Sequence, residues 1–452
     1  MKNASFSNLV NHLYEQVMIS LRLLSRDKQH NIKIRECIDF AYVLYGKGLH
    51  MQALDILAKA KKMSIKHYND FSLLTIIEME KMIHARHITR SKSEPIKELI
   101  EESIDLSTKV VALVDLSNVR MQLHKLYIEH GHIDDADEQS RLRSFFSDKM
   151  RNIESNELKG LELIYYFQSY VWYYYILDEF DHCLEYSIKW VQAFKNSKEL
   201  QIRDIDLFMR GYHYVLTSSF NLKDVKIYEI YLIELEKIRR DQYSKLNINS
   251  QIVSFQYTHN GRMNLHFLKG TFSEGLLDLP STEKRIKRYS NKLDPHKIMI
   301  INYKMAWMYL GGEQPNRAIE HLSYIINMTD RSLRDDIQCY ARLMHIIANY
   351  DAENYGSINR LTKAAQQFVR RSGFHNEIVN YTLELILDMS KTPLLDRRPL
   401  FEIGYHKLVS LAEHKVQRRA LIYLDILPWV YGKYKKVNLH EATKVLNGLK
   451  LE

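Results

Sequence analysis

Seven prolines and fifteen glycines in a chain of 452 residues leave few places to break a helix or to close a tight β-turn. Leu, Ile, Lys, Glu and Tyr fill the stretches between these breakers, so an all-α fold of long helices with short connections is expected. Apolar residues make up 46% of the chain, enough for an extensive core and too many for an intrinsically disordered one. No uncharged apolar run reaches the ~18 residues that a membrane-spanning helix requires. The opening MKNASFSNLVNHLYEQVMISLRLLSR carries polar residues through any signal-like core, so a cytoplasmic protein is expected. Cys37, Cys183 and Cys339 lie far apart without a CxxC spacing, which supports neither a disulfide framework nor a zinc ribbon.

Two segments share one pattern. In FAYVLYGKGLHMQALDILAKA, Phe40 to Ala60, an apolar-periodic stretch is followed by a turn at Gly48 and then by Ala53, Leu57 and Ala60 on one helical face. In MAWMYLGGEQPNRAIEHLSYII, Met305 to Ile326, the turn holds Gly311, Gly312 and Pro315, and the second face carries Ala318, Leu322 and Ile325. This order resembles the tetratricopeptide repeat, with Ala41, Leu44, Ala306 and Tyr309 matching its first-helix positions. A further copy fits well through Tyr170, Val171, Tyr174, Phe180, Cys183, Ser187 and Trp190; weaker ones run through Tyr127, Gly131 and Ala136, and through Gly270, Phe272 and Gly275, with degenerate copies at Val225 and Ile358.

The resemblance implies a right-handed superhelical solenoid of antiparallel helix pairs. The second-helix markers, Ala53, Ala136, Cys183, Val225, Gly275, Ala318 and Ile358, imply units averaging about 44 residues, against ~34 for the standard motif. Helices of about 18 residues account for the excess. One further pair is expected around residues 70–88 and 95–113 to fill the gap after Ala53. The expected organisation is a capping helix at residues 1–30, about eight divergent pairs over 31–400, and capping helices at 401–452. His87 to Pro95 is expected as an exposed loop with Ser93 as an N-cap.

Eight of the eleven residues from Tyr165 to Tyr175 are aromatic. Phe167, Tyr170, Val171 and Tyr174 recur at helical spacing and should pack against their own second helix. Tyr165, Trp172 and Tyr175 lie on another face, which in the repeat family lines the concave surface where partners bind. Eleven residues before each marker stand Tyr42, Lys125, Trp172, Tyr214, Asn264, Trp307 and Ile347, with Tyr45, Tyr175, Phe267, Arg210 and Tyr303 beside them. Aromatics and Arg are the residue types of binding hot spots, which makes Tyr42, Tyr45, Tyr165, Trp172, Tyr175, Arg210, Tyr214, Phe267, Tyr303 and Trp307 the candidate partner-binding groove. The competing reading is that such aromatics fill the gaps between adjacent repeats.

The net charge of +9 arises wholly after residue 279: residues 280–452 hold 27 Lys and Arg against 18 Asp and Glu. The excess collects at Lys284, Arg285, Lys287 and Arg288, at Arg370 and Arg371, and at Arg418 and Arg419, a candidate basic patch for an anionic partner. No HExxH, GxSxG, GxGxxG or P-loop signature occurs. The acidic HIDDADE reads as a helix start capped by Asp134, and the histidines show no ligand spacing, so neither metal nor cofactor is expected. The expectation is a non-enzymatic scaffold that holds a peptide or helix of a partner protein. An RNA- or ribosome-associated role for the basic C-terminal third is the alternative.

Overall fold

The computed structural model describes residues 2–26, 29–86, 93–133, 135–151, 153–328 and 335–448, and among these every regular element is a helix. The chain divides into two compact units, Met1–Glu179 with Glu185–Phe208, and Phe180–Leu184 with Met209–Glu452.

The first unit is built from α1 (Lys2–Ser25), α2 (His30–Gly46), α3 (His50–Lys66), α4 (Asp70–Arg86), α5 (Ser93–His130), α6 (Ala136–Met150), α7 (Leu161–Ile176), α8 (Phe180–Lys195, from Glu185 onward) and α9 (Lys198–Arg203). Neighbours in the chain pack as neighbours in space, α2 on α3, α3 on α4 and α4 on α5. Ala53, Leu57 and Ala60 are fully buried against Ile34, Ile38 and Ala41, as their spacing requires.

The expected pairs over 70–113 and around Ala136 take a different form. α5 runs unbroken for 38 residues, about 57 Å, because neither Pro nor Gly interrupts Ile96 to His130. It serves as the second helix of one pair and the first of the next, so one expected turn does not exist. The loop expected over His87 to Pro95 lies outside the described residues up to Ser93, where α5 begins. Asp134 also lies outside them; the described cap of α6 is Asp135, whose side chain accepts from the Glu138 amide. The helix expected to cap the N-terminus buries no face, since Phe6, Leu9, Leu13 and Leu24 of α1 are each more than 60% exposed.

The second unit holds α10 (Ile205–Asn221, from Met209 onward), α11 (Val225–Gln242), α12 (Ile248–Lys269), α13 (Phe272–Leu276), α14 (Leu279–Tyr289), α15 (Pro295–Gly311), α16 (Pro315–Ile326), α17 (Asp335–Asp351), α18 (Tyr355–Ser372), α19 (Glu377–Lys391), α20 (Arg397–Ala412), α21 (Lys415–Tyr423), α22 (Leu427–Lys435) and α23 (Leu439–Leu446). Sequential packing again dominates, through α15, α16, α17 and α18. α13 and α14 divide what would be one second helix, with Pro280 in the first turn of α14, where a missing N–H is tolerated. The close approach of α13 to α15 explains Gly275 and Gly311: a Cβ on Gly275 would stand 2.4 Å from Met308 Sδ, and one on Gly311 would stand 2.1 Å from the Phe272 ring.

The inter-helix turns share a geometry that the sequence conceals. Gly48, Tyr68, Asp178, Lys223, Gly270, Glu313 and Glu353 all adopt left-handed backbone conformations. The residue after each donates its amide to a carbonyl five residues back, as in Leu49 to Leu44, Glu179 to Tyr174 and Gln314 to Tyr309, at 3.0, 3.0 and 2.8 Å. These are Schellman motifs, and the next helix begins two residues after the left-handed one. Five residues after each stands a buried residue, respectively Ala53, Leu73, Cys183, Tyr228, Gly275, Ala318 and Ile358. Val225 is thus not the marker of its unit. Tyr228, fully buried, is, and the register shifts by three residues.

The segment after residue 400 does more than close the last pair. α20 packs on α19 and α22, but Tyr423 stacks on Tyr340 of α17 and its carbonyl accepts from Tyr303 of α15 at 3.0 Å. α23 then reaches α12, where His440 hydrogen-bonds the Gly270 carbonyl and Asn447 donates to that of Leu268 at 3.0 Å.

Candidate binding surface

In the first unit the aromatic run of α7 is packed on three sides. Trp172 meets His124 and Tyr127 of α5 at centroid distances of 5.1 and 5.4 Å, and Tyr175 meets Tyr127 and His132 at 5.4 and 4.8 Å. Tyr173 stacks on Phe146 of α6 at 4.1 Å, and Tyr170 stacks on Tyr186 of α8 at 4.4 Å. Burial pushes the Tyr170 and Tyr174 hydroxyls well up from their ordinary range. A helix apolar on every side is a central helix. Trp172, at 8% exposed, therefore fills the gap between α5 and α7. Tyr165 carries the Arg120 guanidinium 4.3 Å above its ring, and Tyr45 accepts from Arg86 at 2.9 Å. Among the proposed groove residues of this unit Tyr42 is the open one, half exposed beside Phe40 and Val43.

In the second unit Trp307 is also core, 9% exposed and edge-on to Phe272. The cause is the same: α15 is hemmed in by α12, α13, α16 and α17. Tyr214 is buried at 7% exposed, and with the register corrected to Tyr228 the position eleven residues before the marker belongs to Thr217. Phe267 packs against Phe272 at 6.1 Å. Tyr303 is half-buried against the Tyr423 carbonyl, and Arg210 is exposed.

Near Arg210, polar side chains of α10, α12 and α15 come together. His213 of α10 stacks flat on Tyr257 of α12, centroids 4.5 Å apart and planes 3° from parallel. Lys304 of α15 donates to the Asn264 side chain of α12. Desolvation pulls the Lys304 ammonium down to about 8, although solvent still reaches the side chain. His213 is drawn down to about 4, by desolvation first and then by the positive charges of Arg210 and Lys304. Among the described residues no carboxylate stands within ion-pair distance of Lys304, and Asn264 is its one hydrogen-bond partner.

Of this group Arg210 and Asn264 were legible in the sequence, whereas His213, Tyr257 and Lys304 were not. The available signal was Lys304 itself, the lone cation in the otherwise apolar stretch IMIINYKMAWMYL. A separate cleft of about 260 Å³ between α11 and α12 is internally neutralised, its Arg262 paired with Glu236 and Asp278.

The residues of the candidate basic patch lie on three helices. Lys284, Arg285, Lys287 and Arg288 share α14, Arg370 and Arg371 end α18, and Arg418 and Arg419 lie on α21. No described contact joins the three groups.

The fold defines a helical array of pairs packed in chain order. No protein-family model matches the chain, and no curated protein matches its sequence.

Proposed function

We propose that this chain is a non-enzymatic scaffold of the tetratricopeptide-like, right-handed solenoid kind, and that the polar side chains of α10, α12 and α15 line a recess that holds an acidic segment of a partner protein. The observation that carries this reading is Lys304, a poorly hydrated ammonium with an amide partner and no carboxylate. Such a charge is unfavourable in isolation and becomes favourable once an anionic side chain enters and pairs with it. Arg210 at the exposed edge adds attraction over a longer range, and the flat His213–Tyr257 pair offers an aromatic surface to the backbone or side chains of the guest.

The test is capture from nuclease-treated lysate, comparing the full chain with Lys304→Met and Lys304→Glu variants of unchanged helical content. Retention of a defined protein should fall about tenfold or more for Lys304→Met and further for Lys304→Glu. Equal capture by all three would remove the recess from the reading.

A further inference from the structure

A second group of cations lies on α11 and α14, and among the described residues its three arginines lack carboxylate partners. Arg239 of α11 donates to Thr258 Oγ1 of α12 at 2.8 Å. The next residue, His259, is buried and hydrogen-bonds Thr282 of α14 at 2.7 Å. One turn beyond Thr282, Arg285 holds its guanidinium 5.9 Å from the ring of Tyr243, just past α11. Tyr243 and Tyr289 share a hydroxyl–hydroxyl hydrogen bond of 3.0 Å, and Arg288 lies 5.7 Å from the Tyr289 ring. These contacts bring Arg239, Arg285, Arg288 and Tyr243 to one place.

Charge accounting separates this group from ordinary surface arginines. The neighbouring Arg262 is neutralised by Glu236 and by Asp278, the latter at 3.7 Å. Among the described residues Arg239, Arg285 and Arg288 have no carboxylate within ion-pair distance. Burial, and then the charges of Arg285 and Arg262, draw the Arg239 guanidinium down to about 10. His259 is kept neutral, at about 3, by its desolvation and by the same arginines. The hydrogen bond from Tyr289, followed by the effect of Arg285, holds the Tyr243 hydroxyl below its ordinary value. Repulsion of this kind opposes folding unless an anion relieves it.

We propose that Arg239, Arg285 and Arg288, with the hydroxyl of Tyr243, bind a phosphate dianion. Guanidinium groups match phosphate oxygens in geometry as well as charge, and a phenol adds a further donor. Several arginines gathered at one place suit a doubly charged terminal phosphate. A nucleic-acid backbone would be better served by cations strung along a track, one charge per phosphate. Lys284 and Lys287, exposed on the same helix, add a field that attracts the anion without contacting it.

The test is titration of the full chain with inorganic phosphate and with pyrophosphate at constant ionic strength, followed by calorimetry. Saturable binding with a midpoint below about 10 mM is expected. Arg239→Gln and the more exposed Arg288→Gln should each weaken it about tenfold, whereas Arg371→Gln on α18 should leave it unchanged. If Arg239→Gln fails to fold, Arg288→Gln alone decides the matter. Absence of saturation, or equal weakening by Arg288→Gln and Arg371→Gln, overturns the site. Tight binding of a single-stranded oligouridylate without phosphate binding also overturns it and points to a nucleic-acid track.

Discussion

Asp70 and Glu162 share one lysine: Lys109 Nζ stands 3.1 Å from the Asp70 carboxylate and 3.7 Å from that of Glu162. Both acids are 3% exposed, and one oxygen of each, Asp70 Oδ2 and Glu162 Oε2, has no hydrogen-bond partner. A single ammonium cannot offset two buried carboxylates, so one of them carries the strain as a displaced proton affinity.

Glu162 is that group, and desolvation raises its carboxyl to about 7. The folded state therefore binds a proton that the unfolded chain has already released between about pH 4.5 and 7. Its contribution to stability is complete below about pH 4.5 and is lost as pH rises through 7, by up to about 3 kcal/mol. The depressed His213 and His259 give the opposite slope below about pH 6.5, so the decline is read as the difference in thermal midpoint between wild type and Glu162→Gln from pH 4.5 to 8, which should move in favour of Glu162→Gln as pH rises. A wild-type midpoint that rises steadily across that range, and that Glu162→Gln leaves unaltered, would contradict the assignment.

The left-handed turn residues give a paired test of backbone strain. A Cβ on Gly48 meets nothing within 4 Å, so Gly48→Ala should be destabilising through conformation alone, by about 1 kcal/mol. Glu353 is exposed and left-handed with φ 61°, so Glu353→Gly should be stabilising by about 0.5 kcal/mol after allowing for the freer unfolded chain. Urea midpoints of the two variants should move in opposite directions.

Trp172→Ala and Trp307→Ala should each be destabilising by about 3–5 kcal/mol, because both indoles lie in packed interiors. Their near-ultraviolet circular dichroism and urea midpoints will report it. Variants that keep wild-type midpoints would return these residues to a solvent-facing surface.

Gly311→Ala should be destabilising by about 1–3 kcal/mol, since the new methyl would press on the face of the Phe272 ring. The double variant Gly311→Ala with Phe272→Leu should recover part of the loss. Absence of recovery in the double-mutant cycle would place the cause elsewhere.

How far this architecture could be read beforehand depended on one-sidedness. α3 and α16 bury a single stripe, so Ala53, Leu57 and Ala60, and Ala318, Leu322 and Ile325, declared themselves by spacing. α7 and α15 are covered on several sides, and an apolar residue there gives no clue to direction; Trp172 and Trp307 were accordingly placed on an open wall that they do not occupy. The turn at Lys223 was misplaced because left-handed residues other than glycine leave no compositional mark, and this concealed the register at Tyr228. The recess and the arginine group depend on contacts between helices distant in sequence, such as Lys304 with Asn264 and His259 with Thr282, which no local pattern encodes.

The return of α23 to the Gly270 turn changes what kind of array the second unit is. In an open stack each pair needs only its neighbours, so pairs can be added or lost with graded effect. Here His440 and Asn447 are joined to residues some 170 positions earlier, and Lys223 hydrogen-bonds Asn447 as well. Removing one internal pair would pull this clasp out of reach, so the unit is expected to melt in one step and to tolerate no change in the number of its repeats.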